Sequence, residues 1–125
     1  NESFDKQSGE QYFANLSQMI QGIKDKNPQA CVLVMTSPPS VLHRKYKNTF
    51  NEKYAEFIEE NAHVKNYAVW DLLQVFGGNK AISRNAAKGY MARDKVHYSK
   101  AGYEKQGELF FEAFLQSYEL FKSTK

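Results

Sequence analysis

With 125 residues and 42% hydrophobic content, the chain can form one domain around one core. Its net charge of +3 comes from lysines dispersed along the sequence, and no recognition module accompanies them, which argues against nucleic acid as a partner. No apolar run approaches membrane-spanning length, and the single cysteine, Cys31, can close no internal disulfide and leaves the redox compartment open.

From about Ser8 to Lys26, Tyr12, Phe13, Leu16, Met19, Ile20 and Ile23 form a helical stripe, ended by Asn27-Pro28. Cys31 to Thr36 is a continuous apolar run of strand length. Such a run suits a parallel strand buried on both faces, with Cys31 as a small buried hydrophobe. Ser37-Pro38-Pro39-Ser40 stops it. Ligands of open α/β sheets sit outside the carboxyl ends of strands, so Ser37 to Arg44 is either one wall of a site or a plain connection. A second helix is expected from about Tyr46 to Asn61, with Phe50, Tyr54, Phe57 and Ile58 facing inward. Tyr67 to Trp70 reads as a short strand, and Asp71 caps a helical turn over Leu72 to Phe76 that Gly77-Gly78 closes. Ala81 to Lys88 reads as a short helix ended by Gly89. The last helix spans Lys100 to about Lys122 and aligns Tyr103, Gly107, Phe110, Phe114, Tyr118 and Phe121 on one face. Gly102 and Gly107 each cost about 1 kcal/mol relative to alanine there, which implies close approach of the helix to a sheet.

The order helix, strand, helix, strand, helix is α/β with right-handed crossovers. Two parallel strands cannot bury both faces of a sheet and satisfy their own edges. The expectation is that further strands lie upstream of Asn1, and that residues 1–125 are the C-terminal portion of a single larger domain. The opening Asn1-Glu2-Ser3-Phe4 carries no initiator methionine and no signal peptide.

Asp94 and His97 stand three residues apart, just before Ser99, which reads as the N-cap of the last helix. In a turn, that spacing can fold the carboxylate onto the imidazole, fix its tautomer and leave the other nitrogen to accept a proton from a nucleophile. The same spacing also fits two unrelated polar loop residues.

Three stretches resemble the SGNH (GDSL-type) serine hydrolases, and within them the bacterial peptidoglycan and carbohydrate O-acetylesterases. Asp94-Lys95-Val96-His97, flanked by Ser99, Gly102 and Tyr103, is similar to the final Asp-x-x-His block. Trp70 to Gly78 is similar to the segment that precedes this block, and Asn1-Glu2-Ser3-Phe4 to the segment that begins at the oxyanion asparagine. The resemblance implies a partial flavodoxin-like three-layer α/β fold with parallel strands and flanking helices, its N-terminal strands missing. It implies His97 as general base and acid, Asp94 as its orienting group, Asn1 as an oxyanion donor and no cofactor. The substrate it implies is an acetylated carbohydrate or other small ester, handled by an exported protein of the periplasm or cell surface. The chain departs from the pattern in three places. It has no Gly-Asp-Ser block for the nucleophile, no glycine of the second block, and Glu2 where an aspartate is usual. The nucleophile must then come from another segment, and this chain alone should be inactive. It should also associate with that missing N-terminal segment or with itself.

His43, His63 and His97 lie in three separate segments without metal-ligand spacing, so a metal site is not expected. His63, near a helix end, is read as a favourable dipole partner. His43 is read as loop or substrate contact. Gly77-Gly78-Asn79-Lys80 lacks the spacing of a phosphate loop. A non-catalytic carbohydrate-binding or interaction domain remains the alternative, with the aromatic residues as stacking platforms, although most of them fall at core spacing.

Overall fold

Ser8 starts the first helix: its hydroxyl accepts the Gln11 amide at 3.1 Å, satisfying one of the donors a helix leaves open. The computed structural model describes residues 7–125, and the chain order begins with this helix, α1 (Gly9–Lys26). Strand β1 (Leu33–Met35) follows, then a small hairpin of β2 (Val41–Leu42) and β3 (Tyr46–Lys47), and helix α2 (Thr49–Lys65). Strand β4 (Ala68–Trp70) leads into α3 (Leu72–Val75), a 3-10 turn at Asn79–Ala81 and α4 (Ile82–Ala87). The chain then loops to α5 (Lys100–Ser123).

β1 and β4 are parallel neighbours, with Leu33 opposite Ala68, Val34 opposite Val69 and Met35 opposite Trp70. The crossover between them contains α2, as a parallel pair requires. Alternation assigns the two faces of this sheet. Val34 and Val69 pack with Ile20 of α1, Ile58 of α2 and Tyr67. The rings of Tyr12 and Tyr54 stack at 4.1 Å and seal α1 against α2. On the other face Trp70 meets Phe110 of α5 edge-on at 5.7 Å. A second cluster of Leu72, Phe76, Ile82, Met91 and Tyr98 fills the space beyond the carboxyl end of β4.

Several expectations need correction. The apolar run is not buried on both faces: Leu33 and Met35 remain 48% and 56% exposed. The reason is that α5 touches the sheet at Trp70 and then stands off, leaving an apolar groove of about 370 Å³ between Cys31–Leu33, Ala68–Trp70 and Phe110–Ser117. Cys31 is exposed, because regular strand pairing begins two residues later. The second helix begins at Thr49 rather than Tyr46 and continues to Lys65. Tyr46 and Lys47 pair with Leu42 and Val41 instead, and the Asn48 side chain caps the helix. Of the two glycines in α5, Gly102 answers a close approach, since a Cβ there would collide with the Tyr90 carbonyl. Gly107 has nothing within 4 Å of a Cβ. The partner of Gly102 is thus the backbone before the Asp94–His97 loop and not the sheet. Phe114, Tyr118 and Phe121 lie on an exposed face of α5.

Candidate active site

The Asp94–His97 segment is a loop with a closed base. Met91 and Tyr98 form an antiparallel bridge, the Ala92 amide donates to the His97 carbonyl at 2.9 Å, and the Ser99 amide donates to the Tyr90 carbonyl at 2.9 Å. Inside it the Lys95 amide donates to the Ala92 carbonyl at 3.0 Å, and Lys95 takes a left-handed φ of 54° to reverse the chain. Two bonds fasten the loop to the segment after β1. The buried Tyr98 hydroxyl donates to the Pro39 carbonyl at 2.7 Å, and the Val41 amide donates to the Lys95 carbonyl at 3.0 Å. Burial pushes the Tyr98 phenol up, so it stays a neutral donor.

Within this frame Asp94 Oδ2 lies 2.7 Å from His97 Nδ1. Its Oδ1 accepts the Val96 amide at 2.9 Å and the His97 amide at 3.0 Å. The hydrogen bond from His97, followed by those two backbone amides, holds the Asp94 carboxyl well below the usual carboxylate range. An ionised acceptor on Nδ1 assigns the proton to that nitrogen and leaves Nε2 as an acceptor. The His97 side chain is 67% exposed, so this nitrogen is accessible. Chemically, the pair is an oriented imidazole able to take a proton from an incoming hydroxyl and return it.

His97, Asp94 and Val96 share a cavity of about 350 Å³ with His43 and Arg44 from the tip of the β2–β3 hairpin. Behind the hairpin lies a buried amide network that sequence reasoning did not find. The Asn79 amide donates to the Asn48 carbonyl at 2.8 Å and to Asn51 Oδ1 at 3.0 Å. Asn48 donates to the Ser40 hydroxyl at 3.1 Å, and the Ser40 amide donates to Asn79 Oδ1 at 3.3 Å. Thr36, at the carboxyl end of β1, donates to Asp71 Oδ1 at 3.0 Å and accepts the Leu73 amide at 3.0 Å. These bonds fix the backbone that Pro39 and Val41 present to the Asp94–His97 loop. The one available signal was Asn48, three residues before Asn51 at a helix start.

Of the residues singled out in the sequence, Asp94 and His97 are brought together and His43 lies beside them. Asn1 lies outside the described residues. His63 sits in the last turn of α2, where a cation suits the helix dipole, and Asp71 caps α3 by accepting the Gln74 amide at 3.2 Å. Among the described residues no group of three His, Cys, Asp or Glu side chains gathers as a metal site. None of the helices among them is long and apolar enough to cross a membrane.

A model of the GDSL-like lipase/acylhydrolase family matches residues 1–105. The solved structure of a peptidoglycan O-acetylesterase superposes with a TM-score of 0.82 over 93% of this chain, at 19% identity. At that identity the likeness is one of fold: the two share the α/β arrangement of parallel strands with flanking helices. The chain spans 35% of the length of that structure's chain. Comparison with curated proteins gives no match.

Proposed function

The chain belongs to the GDSL-like lipase/acylhydrolase family, and from that premise we propose that it supplies the acid–histidine half of a serine esterase site. The observation that carries this reading is the 2.7 Å contact between Asp94 Oδ2 and His97 Nδ1 in an anchored loop, with the far side of the imidazole accessible. His97 Nε2 takes the proton of a serine hydroxyl as its oxygen bonds to the ester carbonyl carbon. It returns that proton to the alcohol oxygen as the old ester bond breaks. Water then enters by the same proton relay and releases the acid from the serine. Asp94 keeps the imidazole in one tautomer and stabilises its charged form. Asn1 is proposed as a side-chain donor to the oxyanion, a contribution of roughly 10² to 10³ in rate.

No Gly-Asp-Ser block is present in the 125 residues, so the serine is proposed to come from another segment of the same protein. Residues 1–125 then form the C-terminal portion of one hydrolase domain and are inactive alone. The exposed Leu33 and Met35 and the groove under α5 are proposed as the surface that this segment covers. The substrate proposed is an O-acetylated carbohydrate, peptidoglycan included, which sets the enzyme in the periplasm or at the cell surface.

The test is hydrolysis of a small acetyl ester by this chain alone and by the chain joined to its serine-bearing segment. The joined protein should turn over and the chain alone should not. Wild-type activity in a joined His97→Ala variant would end the esterase reading.

A further inference from the structure

The cavity beside His97 is walled on one side by the hairpin tip, and that tip has an unusual backbone. His43 and Arg44 are consecutive non-glycine residues at φ 50° and 62°. The left-handed region crowds the Cβ of an L-residue, and glycine or asparagine would occupy it with less strain. Backbone strain of this kind is a reason to look for a use of the side chains that bear it. The tip is also held in place. Leu42 is buried, the Val41 amide is bonded to the Lys95 carbonyl, and the Lys45 amide closes the turn on the Leu42 carbonyl at 3.2 Å.

Charge is the second observation. The cavity is lined by His43, Arg44, Asp94, Val96 and His97. Among the described residues Asp94 is the carboxylate of the lining, and both of its oxygens accept hydrogen bonds, from His97 Nδ1 and two backbone amides. Arg44 makes no salt bridge among the described residues and is exposed. The cavity therefore presents a guanidinium that pairs with no acid among the described residues, beside the exposed imidazole. A guanidinium offers a planar fork matched to an oxyanion, either carboxylate or phosphate. A volume of about 350 Å³ falls within the range of small-ligand pockets and suits a single sugar ring.

Resting on the esterase reading, we propose that this cavity binds the alcohol half of the substrate through an anionic group on it, with Arg44 as the residue that selects that group. The enzyme would thus prefer acetylated sugars that bear a carboxylate or a phosphate over neutral ones.

Binding can be measured apart from turnover. Glucuronate, glucose 6-phosphate and glucose are titrated into the isotope-labelled protein joined to its serine-bearing segment while the backbone amides of residues 43–44 and 94–97 are followed by NMR. Glucuronate, glucose 6-phosphate or both should shift these amides saturably, and which of them does so identifies the anion. Glucose should bind at least about tenfold more weakly, since hydrogen bonds to charged groups are the stronger kind. Arg44→Asn keeps a residue suited to the left-handed backbone and removes the charge; it should abolish the preference, and Arg44→Lys should restore part of it. Equal binding of glucose, no shift by either anion, or an unaltered preference in Arg44→Asn would overturn the proposal. In the protein joined to its serine-bearing segment, the ratio of kcat/KM for acetylated glucuronate over acetylated glucose is the second readout. Hydrolysis without anion preference leaves the esterase reading standing and this one fallen. Anion binding without hydrolysis ends the esterase reading and overturns the assignment of the bound sugar as the alcohol half of a substrate.

Discussion

At the carboxyl ends of β1 and β4, polar side chains close on one another; along α5 and the outer face of the same sheet, apolar side chains meet water. The first region holds the Asn48–Asn51–Asn79 network, the Thr36–Asp71 pair and the Asp94–His97 loop, bonded within this chain. The second exposes Leu33, Met35, Phe111, Phe114, Leu120 and Phe121. The contrast follows from the range of the two forces. A buried amide or carboxylate without a partner costs roughly 1–3 kcal/mol, and its partner must lie at one distance and angle. Apolar burial is non-directional and roughly proportional to area, so any surface of suitable shape can supply it. The polar networks at the site end are therefore closed by bonds within this chain, whereas the sheet face admits an outside partner.

The comparison would break most visibly at the imidazole. In the protein joined to its serine-bearing segment, His97→Ala should lower turnover of a small acetyl ester by roughly 10⁴ or more. Its thermal unfolding should barely move, because the side chain is 67% exposed. A large drop in melting temperature would mean that the site end depends on His97 for its shape. Asp94→Asn should cost up to about 10⁴ in turnover, measured with the same ester, because an amide no longer enforces the tautomer.

Stability variants sharpen the contrast within a single helix. Gly102→Ala drives a Cβ into the Tyr90 carbonyl at the site end and should destabilise by about 1–3 kcal/mol in urea unfolding. Gly107→Ala, with open space around it, should stabilise by up to about 1 kcal/mol. If both stabilise, the helix is not seated on the loop as described. At the open end, Phe121→Glu should change the unfolding free energy by less than about 0.5 kcal/mol. It should also reduce self-association of the isolated chain in sedimentation, and unchanged association would show that this face is not the adhesive one.

Acid provides the smallest effect. The folded state holds Asp94 below the ordinary carboxylate value. Its stabilising contribution is therefore complete above the unfolded value of about 4 and is lost as pH falls from there toward the folded one. Urea unfolding at pH 6, 4 and 3 should show the difference between wild type and Asp94→Asn shrinking with pH. A constant difference would mean that the carboxylate charge contributes nothing.

Some of this arrangement was determined by residues close together in sequence. Ser8, Asp71 and Ser99 cap their helices through bonds that span three residues, and the Asp94–His97 contact spans three as well. Such contacts depend on local backbone alone, so spacing reveals them. The apolar run and the helix-length crossover determined a parallel β1–β4 pair for a similar reason, since a crossover of that length leaves few other pairings. Tertiary structure decided the rest. The two-residue strands of the hairpin have no period to read, so Tyr46 and Lys47 passed for helix. Asn48, Asn51 and Asn79 meet across as many as 31 residues, and nothing near any one of them in sequence announces the others. The Phe110, Phe114 and Phe121 stripe determined which face of α5 would be buried if something covered it. Whether it is covered depends on how α5 lies against the rest of the fold, which it meets through the close approach of Gly102 to Tyr90 and the contact of Phe110 with Trp70.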